Sequence, residues 1–171
     1  MRKLFILTAF VVLSTVASMA QKYALVDMEY ILKNIPAYDM ANEQLNQISK
    51  KWQSEVENQF NESKAMYKKY QSDLVFLSEE MKVKREEEIV AKEKAAIELQ
   101  RKYFGPEGEL FKKREVLISP IQDDVYNAVK AVAEERGYSM ILDRASSQNI
   151  IFASPRIDVS NEVLAKLGIS K

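Results

Sequence analysis

Between Pro36 and Gly105 the chain runs for 68 residues without a glycine or a proline. Such a tract has no residue that breaks a helix outright, so it reads as very long helix. As one straight helix, at 1.5 Å rise per residue, it would measure roughly 100 Å. The long axis suits reaching, clasping or scaffolding better than catalysis.

Within the tract the apolar positions have a face. From Leu45 they fall at Ile48, Trp52, Val56 and Phe60, pass Ser63, and continue at Tyr67, Tyr70, Leu74 and Leu77. The mean step is about 3.6 residues, the period of one helix face. Lys50, Lys51, Glu55, Glu57, Glu62, Lys64, Lys68 and Lys69 occupy the intervening positions, so the opposite face is solvated. Two readings of the stripe follow. It packs on a partner helix, or part of it stays exposed and binds apolar clients; Trp52, Phe60, Tyr67, Tyr70 and Phe76 are bulkier and more varied than a plain leucine seam.

Residues 79–94 hold six acids and five bases, with Met81, Val83, Ile89 and Val90 as the main apolar content. Ser78 followed by Glu79 and Glu80 has the form of a helix N-cap with acids in the first turn, where the helix dipole favours them. A reversal near Leu77 and Ser78 is therefore plausible. The usual turn residues are missing there, and one uninterrupted coiled-coil helix stays open as the alternative. Ala96, Leu99 and Tyr103 resume helical spacing before Gly105, Pro106, Glu107 and Gly108 interrupt it.

Outside the tract the pattern is mixed. Residues 1–20 read as a cleaved export signal: Arg2 and Lys3 lead, residues 4–13 are largely apolar, and Ser18-Met19-Ala20 is a small-x-small cleavage site. Mature chain would begin at Gln21. Residues 23–26, 138–142 and 150–153 are short apolar runs and read as three strands, the last two flanking a polar loop. Ser119, Pro120 and Gln122 have the form of an N-cap, a first-position proline and a capping-box partner, opening a helix with Ile121, Val125, Val129 and Val132 inward and Gly137 as its stop. A last helix follows Ser160, with Val159 and Leu164 placed for a hydrophobic staple and Gly168 as its stop. The expected organisation is α+β, mostly α: a small β head from residues 21–37 and 105–171, with 38–104 inserted as a long helical tract. Three short strands make a sheet too small to be stable alone, so copies should combine their sheets, with Tyr23, Leu25, Ile141, Ile150 and Phe152 as candidate oligomerisation residues.

Composition narrows the function. The chain has no cysteine and no histidine, which removes disulfides, thiolate nucleophiles, the usual zinc sites and the usual general base near neutral pH. Removing Arg2 and Lys3 with the signal leaves 23 bases against 25 acids, so nothing suggests nucleic acid as a partner. The four glycines form no phosphate-binding pattern. Asp27 and Asp143 each end a strand candidate, where an aspartate more often caps the next turn than acts as an acid or base. No enzyme, cofactor or metal is expected.

The segments KYALVDM at 22–28, YSMILD at 138–143, NIIFA at 149–153 and DVSNEVLAKLG at 158–168, in order around the helical tract, resemble the Skp/OmpH family of periplasmic holdase chaperones. Membership implies a homotrimer whose strands form a barrel-like body. From it helical hairpins extend as tentacles around a cavity for unfolded outer-membrane proteins. It also implies that the reversal is a hairpin; the client contacts expected from the exposed part of the stripe and from the turn are Trp52, Phe60, Tyr67, Tyr70, Leu74, Phe76, Leu77 and Met81. The best-known members are strongly basic, whereas residues 38–104 carry thirteen acids and twelve bases, so lipopolysaccharide or anionic lipid is not expected as a main partner. The alternative from another class is a structural coiled-coil adaptor of the cell envelope.

Overall fold

The computed structural model describes residues 22–147 and 149–169; the export signal expected at 1–20 lies outside them. Two strands and five α-helices follow in order: β1 (Lys22–Val26), α1 (Met28–Lys33), α2 (Pro36–Asp73), α3 (Glu79–Phe104), α4 (Glu109–Arg136), β2 (Tyr138–Asp143) and α5 (Ser160–Lys166). The chain divides into two compact units, residues 36–122 and the remainder.

The first unit is an antiparallel hairpin of α2 and α3. Its reversal needs no glycine. After α2 the chain makes a single 3-10 turn over Leu74–Phe76 and then two extended residues, Leu77 at φ −91°, ψ 138° and Ser78 at φ −69°, ψ 160°. Both lie in the β region open to any side chain, so the missing turn residues cost nothing here. Ser78 caps α3, its hydroxyl accepting from the Met81 N–H at 3.3 Å, with Glu79 and Glu80 in the first turn. The cap expected from the sequence is present, and of the two alternatives left open there the chain takes the hairpin.

At its other end the hairpin turns a corner through residues 105–108. Gly105 N–H donates to Arg101 O at 2.8 Å, and a Cβ on Gly105 would sit 2.4 Å from that same carbonyl. Gly108 is buried, and a Cβ there would lie 2.7 Å from Tyr103 O. Backbone approaches too close for any side chain therefore define this corner. It lets the start of α4 return along α2, where Ile118 packs with Ala41 and Leu45, flanked by Tyr38, Leu110, Leu117 and Ile121. Residues 105–122, expected with the head, thus belong to the compact unit of the hairpin.

This packing overturns one expectation. Ser119 and Pro120 do not open a helix; α4 starts ten residues earlier at Glu109 and runs through Pro120. An interior proline removes one intrahelical hydrogen bond and crowds the preceding turn. The apolar face that begins at Leu110 and continues through Leu117, Ile118 and Ile121 outweighs that cost, because all four are held at or beside the Ala41–Leu45 pair of α2.

In the second unit, β1 and β2 pair in parallel, Tyr23 opposite Met140, Ala24 opposite Ile141, Leu25 opposite Leu142 and Val26 opposite Asp143. Gly137, at φ +69°, ends α4 in the left-handed conformation that glycine takes without strain and leads directly into β2. Ala24, Leu25, Val26, Ile31, Val125, Val132, Val159, Val163 and Leu164 form the buried core. Val159 N–H donates to Leu25 O at 2.9 Å and ties α5 to the strand. The helix itself begins at Ser160, one residue earlier than expected, because the Ser160 hydroxyl is used elsewhere: it accepts from Asp27 N–H at 2.8 Å. Val159 and Leu164 are both buried, as a staple requires, and Gly168 terminates α5 at φ +77°.

The expected third strand does not form. Residues 150–153 are irregular, with Ile151 fully exposed and Phe152 nearly so. A strand exists only through a pairing partner, and the described residues of one chain offer it none. The sheet is left with two strands, below the number that is stable without further cover.

Replacing Pro120 by Ala should raise stability by about 1 to 3 kcal/mol, since it restores an interior hydrogen bond at an exposed position. Chemical denaturation would measure it. A neutral or destabilising result would instead mark Pro120 as a helix start.

Candidate functional site

The apolar stripe of α2 has two fates, and the seam of the hairpin separates them. Near the base, Trp52 lies face to face with Tyr103 of α3, ring centroids 4.6 Å apart and 5° from parallel. The Tyr103 hydroxyl donates to Glu55 Oε2 at 2.8 Å, and this hydrogen bond raises the phenol above its ordinary pKa. Val56, Ser63, Ile89 and Ala96 are buried along the same seam, and Leu45 below it. Further out, Lys92 pairs with Glu62 at 2.5 Å and Tyr70 donates to Glu86. The hydrogen bond to Glu86 pushes the Tyr70 phenol up to about 12, so it remains a neutral donor at any physiological pH. These cross-links join residues whose numbers sum to nearly the same value, the signature of a regular antiparallel register.

Trp52, Phe60, Tyr70 and Leu77, expected as client contacts, are consequently half-buried between the helices. Tyr67, Leu74, Phe76 and Met81 are exposed. The contrast follows from the turn: Leu74–Phe76 lies beyond the last residues where α2 faces α3, so its side chains have nothing to pack on. Phe76 is 84% exposed and Val75 83%. Val75 was not singled out from the sequence, because it lies off the 3.6-residue stripe; the 3-10 turn changes the angular step and brings it outward. Single exposed apolar residues are ordinary on protein surfaces, but Leu74, Val75, Phe76 and Met81 lie together around one turn.

A second set of exposed apolar residues was also missed: Val83, Val90 and Ile97 on the charged helix α3. Their spacing of seven was visible in the sequence, hidden by the density of charge around it.

In the head, Leu25 is buried in the core of its own chain, while Ile141 and Ile150 are half-buried. Tyr23 and Phe152 are exposed, as are Met140 and Leu142 on β2. The two aspartates at the strand ends have structural partners. Asp27 caps α1, accepting from Tyr30 N–H at 2.8 Å, and receives Arg144 at 3.1 Å; the same guanidinium reaches Asp158 at 3.3 Å. Asp143 is partly buried, which by itself raises its pKa. Hydrogen bonds from the Ser146 side chain and from the N–H groups of Met28, Ala145 and Ser146 outweigh that and hold the carboxyl below its ordinary range. Both carboxylates are spent on fixing loops. Among the described residues no group of histidine, cysteine, aspartate or glutamate is placed to hold a metal ion, and no helix is long and apolar enough to cross a membrane.

Comparison with known proteins agrees with this architecture. The chain is 26% identical over 157 residues to the chaperone protein Skp of Pectobacterium atrosepticum, covering 86% of each chain. Its fold superposes on a crystal structure from Caulobacter crescentus CB15, assigned as an outer membrane chaperone (OmpH-like), with a TM-score of 0.68 at 13% identity, over 88% of this chain and 86% of the other. Residues 22–167 match the family described as outer membrane protein (OmpH-like), and over that span the chain belongs to the OmpH-like family.

Proposed function

We propose that the protein is an ATP-independent holdase chaperone of the periplasm, which keeps unfolded outer-membrane β-barrel precursors from aggregating. The observation that carries this reading is the apolar cluster at the hairpin turn, left uncovered although the seam beside it is closed. A scaffold helix would have its apolar stripe packed. Here Phe76 and its neighbours are left uncovered by the described residues, and the name of the Pectobacterium relative gives them a use. Each such side chain covered by a client contributes about 1 to 2 kcal/mol, so several weak contacts at high local concentration hold a chain that has no fixed shape. No bond is made or broken and no nucleotide is needed.

The assembly we infer is a homotrimer. Its support is the incomplete head: a two-stranded sheet with exposed Tyr23, Met140 and Leu142, and an irregular apolar segment at 150–153 that has the composition of a strand but no partner among the described residues. A neighbouring copy supplies what the segment lacks, and the strand expected there forms on assembly. The export signal read at residues 1–20 and the family relationship support the periplasmic location.

Two outcomes are expected. Purified mature protein should suppress aggregation of a urea-unfolded outer-membrane β-barrel protein on dilution, as read by light scattering. Replacing Val75, Phe76 and Met81 together by Ser should weaken that holding at least about tenfold, with the thermal melt nearly unchanged, because exposed apolar side chains add little to folding. Wild-type protein that leaves aggregation untouched would overturn the holdase reading. Phe152→Asp should shift the sedimenting species from trimer to single chain, since a charge would be buried unpaired at the new contact. A folded wild-type monomer at micromolar concentration would overturn the shared head.

A further inference from the structure

Val83, Val90, Ile97 and Phe104 recur every seventh residue along α3, and all four are exposed, the first three by more than half. Each directly follows the residue one place earlier in the same heptad: Lys82, then Ile89 and Ala96, which are buried in the seam, and Tyr103, which stacks on Trp52. One residue is a rotation of about 100°, so the line runs along the flank of the hairpin. A seven-residue spacing drifts about 20° per repeat on a straight helix, but line and seam share it and drift together. The flank position is therefore kept for the whole 21 residues, roughly 31 Å. At the base, Phe104 also lines a groove of about 370 Å³ with Leu45, Leu110 and Phe111.

The rows on either side decide what can lie there. Three residues on from each line position stand Glu86, Glu93 and Gln100; four on stand Glu87, Lys94 and Arg101, all exposed. A docked helix, about 10 Å wide, would cover these rows and strip water from their charges. Four partly exposed side chains also fall far short of the roughly 800 Å² per partner that a stable interface between copies uses. An extended chain occupies only about 5 Å of width and can touch the line while the charges stay wet. The helix offers it no free backbone groups, so contacts are by side chain alone and tolerate many sequences.

We propose that this flank line of α3, running from the turn to the corner groove, is a track for an extended apolar segment of an unfolded polypeptide. It rests on the holdase reading and extends it, since it assigns the client path to α3, whereas the sequence pointed to the stripe of α2.

The chain has no cysteine, so single labels are clean. An environment-sensitive fluorophore on Ile97→Cys, and as control on Glu98→Cys, would be titrated with a urea-unfolded outer-membrane β-barrel protein on dilution. A blue shift at 97 and none at 98 is expected. The pair Val90→Gln and Ile97→Gln, which keeps helix propensity, should weaken binding about tenfold with the melt unchanged. Normal holding with no shift at 97, or an undiminished affinity in the glutamine variant, would overturn the track while leaving the holdase reading intact. A shift at 97 that grows with protein concentration without client would assign the line to a second copy and overturn the track. Failure of the wild type to hold any client would remove the holdase reading, and the track with it.

Discussion

The hairpin depends on one constraint: a helix of 38 residues with a single apolar stripe must bury that stripe, and here its partner is its own return helix. Trp52 on Tyr103 fixes the register at the base, the ion pair of Glu62 with Lys92 continues it, and Tyr70 with Glu86 closes it near the turn. Of these, the aromatic stack and the buried Val56, Ile89 and Ala96 bring most of the stabilisation. The exposed ion pair and the Tyr70 hydrogen bond add little and mainly choose the register. Because the seam is satisfied within the chain, any apolar side chain outside it is free for another purpose.

The head shows the opposite condition. Its core is well buried around Leu25, Val125 and Leu164, and its loops are fixed by Arg144 between Asp27 and Asp158 and by the hydrogen bonds that Asp143 accepts. Yet Tyr23, Met140 and Leu142 on the sheet, and Ile151 and Phe152 beyond it, carry apolar side chains into solvent. An element closed on itself and an element in need of partners fit the proposed holdase, in which copies would join through the heads and the hairpins would keep surface for clients.

How far the sequence carried depended on whether the deciding interaction was local. The 3.6-residue stripe and the Ser78 cap are local, and the long helix of α2 and the start of α3 were legible from them; the reversal between them was left open against a continuous helix, and only the resemblance implied a hairpin. Pro120 misled for the same reason. Its capping signature is local, whereas the face of Leu110, Leu117 and Ile118 that overrides it acts through Ala41 and Leu45, some seventy residues away in the chain. Residues 150–153 have strand composition, but pairing is not a property of the segment that carries it. At the candidate site, Phe76 and Met81 were legible as exposed because they lie at a turn. Trp52 and Phe60 were not legible as seam residues, since periodicity identifies a face without saying what it meets. The α3 line was overlooked because one apolar residue in seven is faint against surrounding charge.

The central claim is that the hairpin closes its seam on itself and leaves the turn and flank free. It is tested most directly by the distance between spin labels on Glu57→Cys and Arg101→Cys. The seam register puts these positions across from one another, so a separation within about 20 Å is expected, with or without bound client. A continuous helix, which would leave the stripe to other partners, would put the labels roughly 66 Å apart and contradict the account.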